Sequence, residues 1–426
     1  MNPLSRRGRA AVLTASFLAW MFAGLEISLF VLVHRQMSRD LLGAGTPEPD
    51  VTRWFAWYQA AFLFGAAAGG WLFGLLGDVA GRTRALGAGV VCYSLFTLAC
   101  YFATSADVML ALRALACLGV GGVWPNAVAL TAEAWPNASR PFLAGLLGAA
   151  ANVGFVLLGA VAYFFPLTTD TWRVALLIGA APAVLGVVIV LAVPESPRWL
   201  AARASRPAGP AGPSPLRDVL RPPLLSRTVL GVALGAIPVV GSAANANWLV
   251  PWTDHAHEQR ALSTGEERTP PDPRAKATTQ MTRSGGAVFG SLLGGLLASL
   301  LGRRLSYFLI SLGALAASTY IFSQLDPLHP YFQASAFALG FVGITYFGWL
   351  PLFLPELFPT RVRATGTGIA CNTGRVVAAV AVLSAGLLLN RFGGDYARVG
   401  LWSGAIYAVG MVVIWFVPRT ARRLED

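Results

Sequence analysis

About twelve stretches of this 426-residue chain are each roughly twenty apolar residues long, the length a helix needs to cross the hydrocarbon core of a bilayer. They run from Ala10–Val33 to Val399–Val417, with the seventh at Thr228–Val250 and the eighth at Ser284–Leu301. Within lipid every backbone N–H and C=O must be bonded inside the span, so the expected fold class is all-α integral membrane, with about 12 transmembrane helices. Hydrophobic residues make up 55% of the chain and charged residues 12%, about half the charged share of a soluble domain, which excludes a water-soluble fold. The first stretch is longer than a secretory signal and lacks a small-residue cleavage site, so it is expected to be a retained span.

The chain is also duplicated. Gly74-Leu-Leu-Gly-Asp78-Val-Ala-Gly81-Arg82-Thr-Arg84 returns as Gly295-Leu-Leu-Ala-Ser299-Leu-Leu-Gly302-Arg303-Arg304, each time between two apolar stretches. In nearly the same register, Glu133-Ala-Trp-Pro136-Asn-Ala-Ser-Arg140 returns as Glu356-Leu-Phe-Pro359-Thr-Arg-Val-Arg363. Two motifs at one offset imply two pseudo-symmetric six-helix bundles, residues 1–193 and 228–426. The linker between them, residues 194–227, contains the Pro- and Gly-rich run from Arg206 to Pro215. Repeated hydrophobic halves are the mark of secondary transporters, whose solute site lies near the midplane where the halves meet.

The net charge of +12 does not point to nucleic acid. Lys276 is the lone lysine, and the arginines stand singly or in small groups at the ends of spans, a topological placement. By the positive-inside rule both termini and the linker are expected in the cytoplasm, and helical spans imply a plasma or bacterial inner membrane because outer membranes use barrels. Cys92, Cys100, Cys117 and Cys371 lie within apolar stretches and read as small packing residues. The run Asp254-His255-Ala-His257-Glu258 offers metal-ligand types, but it falls in a polar segment, Thr253 to Thr282, expected to be an irregular solvated loop, so no metal is assigned. No phosphate-cradling glycine loop and no nucleophile with its base are recognisable. The reading is therefore no enzyme, no cofactor and no use of ATP.

These motifs carry a resemblance to the major facilitator superfamily, covering essentially the whole chain. Gly74…Asp78…Gly81-Arg82-Thr-Arg84 is similar to the superfamily hallmark between its second and third helices. Pro194-Glu195-Ser-Pro197-Arg198-Trp199-Leu200, the series Arg113, Gly119, Gly121, Glu133, Pro136, Arg140, and Pro355-Glu356-Leu-Phe-Pro359…Arg363-Ala-Thr-Gly366 resemble the sugar porters and the related aromatic-acid and organic-anion proton symporters. Three departures stand out. Ser299 replaces a frequent acid, Ala23-Gly24-Leu25-Glu26 stands where aromatic-acid symporters carry Asp-Gly-x-Asp, and the seventh span lacks the paired glutamines with which sugar porters hold a hexose.

Glu26 sits near the middle of the first span, where a carboxylate costs several kcal/mol unless it is neutralised or paired. The resemblance supplies Arg113 of the fourth span as its partner, and the two are expected to form the proton-coupling site. Asp78, Gly81, Arg82, Glu133, Arg140, Glu195, Arg198, Arg303, Glu356 and Arg363 are expected to gate the cytoplasmic side through pairs that bias two conformations by a few kcal/mol. For the solute, Arg375 in the eleventh span and Arg283 at the eighth offer forked guanidinium donors matched to carboxylates. Asn372, Asn245, Asn247, Trp248, Asn126, Gln59 and Tyr346 are candidate contacts, with helix-to-helix bonding the alternative for the asparagines and packing the alternative for Tyr346 and its neighbour Trp349. Trp54, Trp57 and Tyr58 read as interfacial belt residues. The expected function is proton-coupled symport of a small organic anion, such as a monocarboxylate or aromatic acid, by alternating access, with small-molecule substrate, protons and lipid bilayer as partners and a monomer as the family expectation. Uptake of a sugar or polyol is the alternative, and an exporter is third. A transporter-derived sensor would need a signalling tail, and a membrane enzyme would need convergent acid and base groups that the spans do not offer.

Overall fold

The computed structural model describes residues 4–135, 139–204, 215–263, 272, 274–359, 362–392 and 394–417. Twelve long helices follow one another. They are α1 Arg6–Leu42, α2 Glu48–Ala80, α3 Arg82–Tyr101, α4 Ala106–Ala134, α5 Arg140–Phe164, α6 Trp172–Ala192, α7 Leu224–Arg260, α8 Ala275–Leu300, α9 Arg303–Gln324, α10 Phe332–Phe353, α11 Arg363–Arg391 and α12 Tyr396–Phe416. The first six form one bundle and the last six the other. Short helices Pro197–Ala204 and Pro215–Val219 lie between them.

The face carrying the α2–α3 and α8–α9 turns is called the basic face below. Each turn hinges on a glycine of the repeat. Gly81 alone separates α2 from α3 at φ 114°, and Gly302 precedes α9 at φ 82°, a region that side-chain-bearing residues rarely occupy. The repeat extends into packing. On α2, Gly65 and Gly69 face the carbonyls of Ala114 and Leu118 on α4, and on α8, Gly286 and Gly290 face those of Phe337 and Phe341 on α10. Gly65 to Gly286 and Gly69 to Gly290 repeat the interval from Gly74 to Gly295. Small residues let the backbones close to contact, which supplies association that lipid-exposed apolar surface cannot. A methyl group at Gly69 would overlap the Leu118 carbonyl, whereas one at Gly74 would meet nothing within 4 Å. Gly69→Ala is therefore expected to cost about 1–3 kcal/mol through overpacking. The thermal unfolding midpoint of purified Gly69→Ala should fall clearly below that of Gly74→Ala, and equal midpoints would refute the packing argument.

Eleven helices among the described residues are long and apolar enough to cross a membrane. The remaining one, α8, has 26 residues, about 39 Å at 1.5 Å per residue, which exceeds a core of roughly 30 Å. Its apolar signal is diluted by Lys276, Thr279, Gln280, Arg283 and Ser284, all of which are buried inside the protein. The expected start at Ser284 is thus nine residues late, because hydropathy registers composition and not the face a residue presents. The irregular loop expected over Thr253–Thr282 is corrected as well, since helix continues from Leu249 to Ser263. Midway along α7 the ladder breaks, with a π turn at Gly241–Asn245 and a 3-10 turn at Ala246–Trp248.

Two seams join the bundles. The α5–α8 seam is closed along its length: Gly159 lies against Met281, Ser291 donates to the Gly145 carbonyl at 3.4 Å, and a methyl at Gly295 would come 2.9 Å from the Pro141 oxygen. The α2–α11 seam is closed from Ala56 and Gly386 to Gly70 and Asn372, but beyond it a methyl group on Gly74 or on Gly368 would meet nothing within 4 Å. The buried apolar residues divide accordingly. Away from the basic face one core spans both bundles, joining Phe30, Trp54 and Phe55 to Trp248, Trp252 and Tyr396. Towards the basic face there are two cores, Val12, Leu86, Leu130 and Ile189 in one bundle and Leu234, Tyr307, Trp349 and Phe353 in the other. Among the described residues the bundles are therefore sealed at the far face and parted between α2 and α11 at the basic face.

Candidate functional site

Glu26 and Arg113 meet in the centre of the first bundle, with both side chains 0% exposed. Gly24 presses α1 against the Ala151 carbonyl of α5, and this holds Glu26 towards α4. Arg113 Nη1 donates to Glu26 Oε1, as does the Thr97 hydroxyl of α3 at 3.3 Å. The guanidinium carbon lies 3.9 Å from the centre of the Phe30 ring. Glu26 Oε2 and Arg113 Nε and Nη2 make no hydrogen bond. The pair is thus electrically closed but incompletely bonded, an arrangement that a proton can open without breaking a wider network. Sequence reasoning misses Thr97, because a hydroxyl inside an apolar span gives no signal of the carboxylate it faces.

In the second bundle Arg283 is 3% exposed, and its Nε and Nη2 make no hydrogen bond. Its guanidinium lies 5.7 Å from the Phe155 ring of α5, across the α5–α8 seam. Arg375, half-buried, crosses the other seam, with Nη1 donating to the Ala66 carbonyl of α2 at 3.0 Å and to Asn372 Oδ1 at 3.3 Å. Asn372 packs on Gly70. Gln59 Nε2, Asn247 Oδ1 and Trp248 Nε1 are buried without partners. Asn245 is tied within its own bundle, to the Gly400 carbonyl at 2.7 Å and to Ser403 and Ser318. Asn126 likewise bonds the carbonyls of Phe73 and Gly122. Tyr346 donates to Ser311 at 2.7 Å inside the second basic-side core, and Trp349 bonds Ser306 there. Trp57 is exposed, but Trp54 and Tyr58 are buried in the shared core, which corrects their belt reading.

At the basic face, Asp78, Arg82, Glu133, Glu195, Arg303 and Glu356 are each bonded within their own bundle. Asp78 pairs with Arg82 at 2.5 Å, and Arg82 approaches Glu133 at 3.8 Å. Ser196 donates to Glu133, while Glu195 accepts from the Thr83 amide at 3.1 Å and leaves no room for a side chain at Gly81. Arg303 holds Glu356 at 2.7 Å. Arg198 is exposed. The side chains of Arg140 and Arg363 lie outside the described residues.

Among the described residues, the ion pairs that join the bundles are at the far face. Arg35 of α1 binds Glu48 of α2 at 2.7 Å and, across the divide, Asp254 at 2.9 Å and Glu258 at 2.6 Å on α7. Arg39 reaches Glu258 at 2.6 Å, Lys276 of α8 lies 3.9 Å from Asp254, and the Tyr396 hydroxyl donates to Glu48 at 2.9 Å. The acids expected in a solvated loop therefore lie in a partly buried ion network. Donor atoms of Glu48, His255 and Glu258 come within 4.8 Å of one another, but Arg35 and Arg39 already occupy these carboxylates.

A closed far face, a parted basic face and unpaired polar groups between two bundles define a helical membrane transporter. The sequence model of the family described as "Sugar (and other) transporter" matches residues 13–209. A probable 4-methylmuconolactone transporter of Cupriavidus pinatubonensis is 30% identical over 358 residues, covering 83% of this chain and 79% of that protein. The 3-(3-hydroxy-phenyl)propionate transporter of Escherichia coli is 27% identical, covering 93% and 95%. The proton:xylose symporter XylE, bound to 6-bromo-6-deoxy-D-glucose, superposes with a TM-score of 0.73 over 99% of both chains at 16% identity, a likeness of fold. The chain belongs to the major facilitator superfamily of membrane transporters.

Proposed function

We propose that this protein carries a small organic anion into the cytoplasm together with a proton, working as a single chain in a plasma or bacterial inner membrane with its basic face and both termini inside. The observation that supports an anion most directly is Arg283, a buried guanidinium with two unbonded nitrogens and no carboxylate partner among the described residues. An uncompensated buried cation costs several kcal/mol, a cost that a bound carboxylate removes by charge and by bidentate bonding. The two relatives above, named for an aromatic-ring acid and a lactone, favour the same class.

In this reading Glu26 takes the proton. Neutralising it removes the charge that holds Arg113, so the Arg113 side chain is released or re-paired while proton and solute are both aboard. A symported proton also offsets the anion's charge against the membrane potential. Asp78, Gly81, Arg82, Glu133, Arg140, Glu195, Arg198, Arg303, Glu356 and Arg363 would close the basic face in the opposite state, and Arg375, Asn372, Gln59, Asn247 and Trp248 remain candidate solute contacts. Proteoliposomes given an inward proton gradient should accumulate one or more small carboxylates and leave hexoses at equilibrium. Hexose accumulation, or carboxylate uptake indifferent to the gradient, would refute the proposal.

A further inference from the structure

Charges within the spans are balanced almost everywhere. Glu26 and Arg113 cancel inside the first bundle. The far-face network holds Arg35, Arg39 and Lys276 against Glu48, Asp254 and Glu258, three cations to three carboxylates. Arg82 and Arg303 are matched by acids at the basic face. Away from helix ends, this leaves Arg283 and Arg375 as the two guanidiniums with no carboxylate partner among the described residues.

Their placement is as informative as their charge. Arg283 stands nine residues into α8 and Arg375 thirteen residues into α11, so both lie at interior depths. Each extends from the second bundle to the first, Arg283 over the Phe155 ring at the α5–α8 seam and Arg375 to the Ala66 carbonyl at the α2–α11 seam. Their present partners are a ring face, a carbonyl and an amide, all neutral. A monoanion would compensate one guanidinium and leave the other uncovered in a low-dielectric interior, where an unpaired charge is costly. A solute with two separated carboxylates compensates both and engages both seams.

We infer that the solute is a dianion, an organic acid with two carboxylates held apart by its carbon frame, one on Arg283 and the other on Arg375. This rests on the anion reading of the proposed function and narrows it. Purified protein at pH 7 would be titrated with α,ω-dicarboxylates of four to eight carbons, each beside its monomethyl ester, which keeps the length and removes one charge. At least one diacid should bind tenfold or more tightly than its ester. In Arg283→Gln and in Arg375→Gln that ratio should fall towards one, because either change removes the site for the second charge. Should a variant fail to fold, the wild-type comparison between diacid and ester still decides. If every ester that binds does so as tightly as its diacid, the dianion inference is overturned and anion transport stands. If neither diacids nor esters bind while hexoses do, both fall.

Discussion

Replacing Glu26 by Gln should reduce gradient-driven accumulation from about tenfold per pH unit to onefold, while exchange of labelled for unlabelled solute continues. The tenfold figure is the 1.4 kcal/mol that one proton gains from a one-unit gradient. Gln keeps the size of the side chain and an oxygen for Thr97, which donates to Glu26 Oε1. It cannot bind and release a proton, so Arg113 would lose its counter-charge in every state. That loss also separates coupling from a merely structural role. Breaking a buried pair by removing one partner costs about 3–5 kcal/mol. If the variant lost exchange together with accumulation and unfolded at lower temperature, the pair would be a lock between α1 and α4. If it still concentrated solute, the coupling assignment would be wrong.

Arg35→Gln should release the far face. Arg35 is 3% exposed and binds Glu48 in its own bundle and Asp254 and Glu258 in the other, so it is the single side chain through which three carboxylates are joined. At about 3–5 kcal/mol for a broken buried pair, and with about 5.5 kcal/mol needed to invert a 1:99 equilibrium to 99:1, a large part of the population should move to the form open at the far face. Spin labels at Gly45, in the α1–α2 turn, and Leu328, in the α9–α10 turn, would record the change as a new longer-distance population. An unaltered distance distribution would mean that the apolar core around Trp248 and Tyr396, not the ion network, holds this face shut.

Much of the architecture was legible because it is written in composition and period. Apolar length located twelve spans, the eighth with a late start, and the repeat identified Gly81 and Gly302, whose positive φ explains why glycine recurs there. The outer end of α7 and the start of α8 were not legible. Asp254, Glu258, Lys276 and Arg283 look like loop residues to any scale that scores polarity, yet they form one helical end and one buried face. Arg35, the partner of Asp254 and Glu258, is 219 residues from Asp254, and no local pattern encodes that pairing. Within the site, an acid and an arginine at mid-span were visible as costly residues that must have a reason. What the sequence could not distinguish is a saturated asparagine from a free one. Asn245 and Asn247 are two positions apart in a broken stretch of helix, but one is fully tied to α9 and α12 and the other keeps an unbonded oxygen.

The unequal seams have a mechanical consequence. Two rigid bodies that stay joined along one edge turn about that edge, as a book turns about its spine. Here the spine is the α5–α8 contact, which persists to Pro141 and Gly295, and the fore-edge is α2–α11, which parts beyond Gly70. Displacement grows with distance from the axis, so in a turn about this contact Arg283 beside it would stay nearly still while Arg375 near the fore-edge would sweep an arc and pull away from Ala66. A solute gripped by both would be let go first at its Arg375 end, swinging out before it is set free.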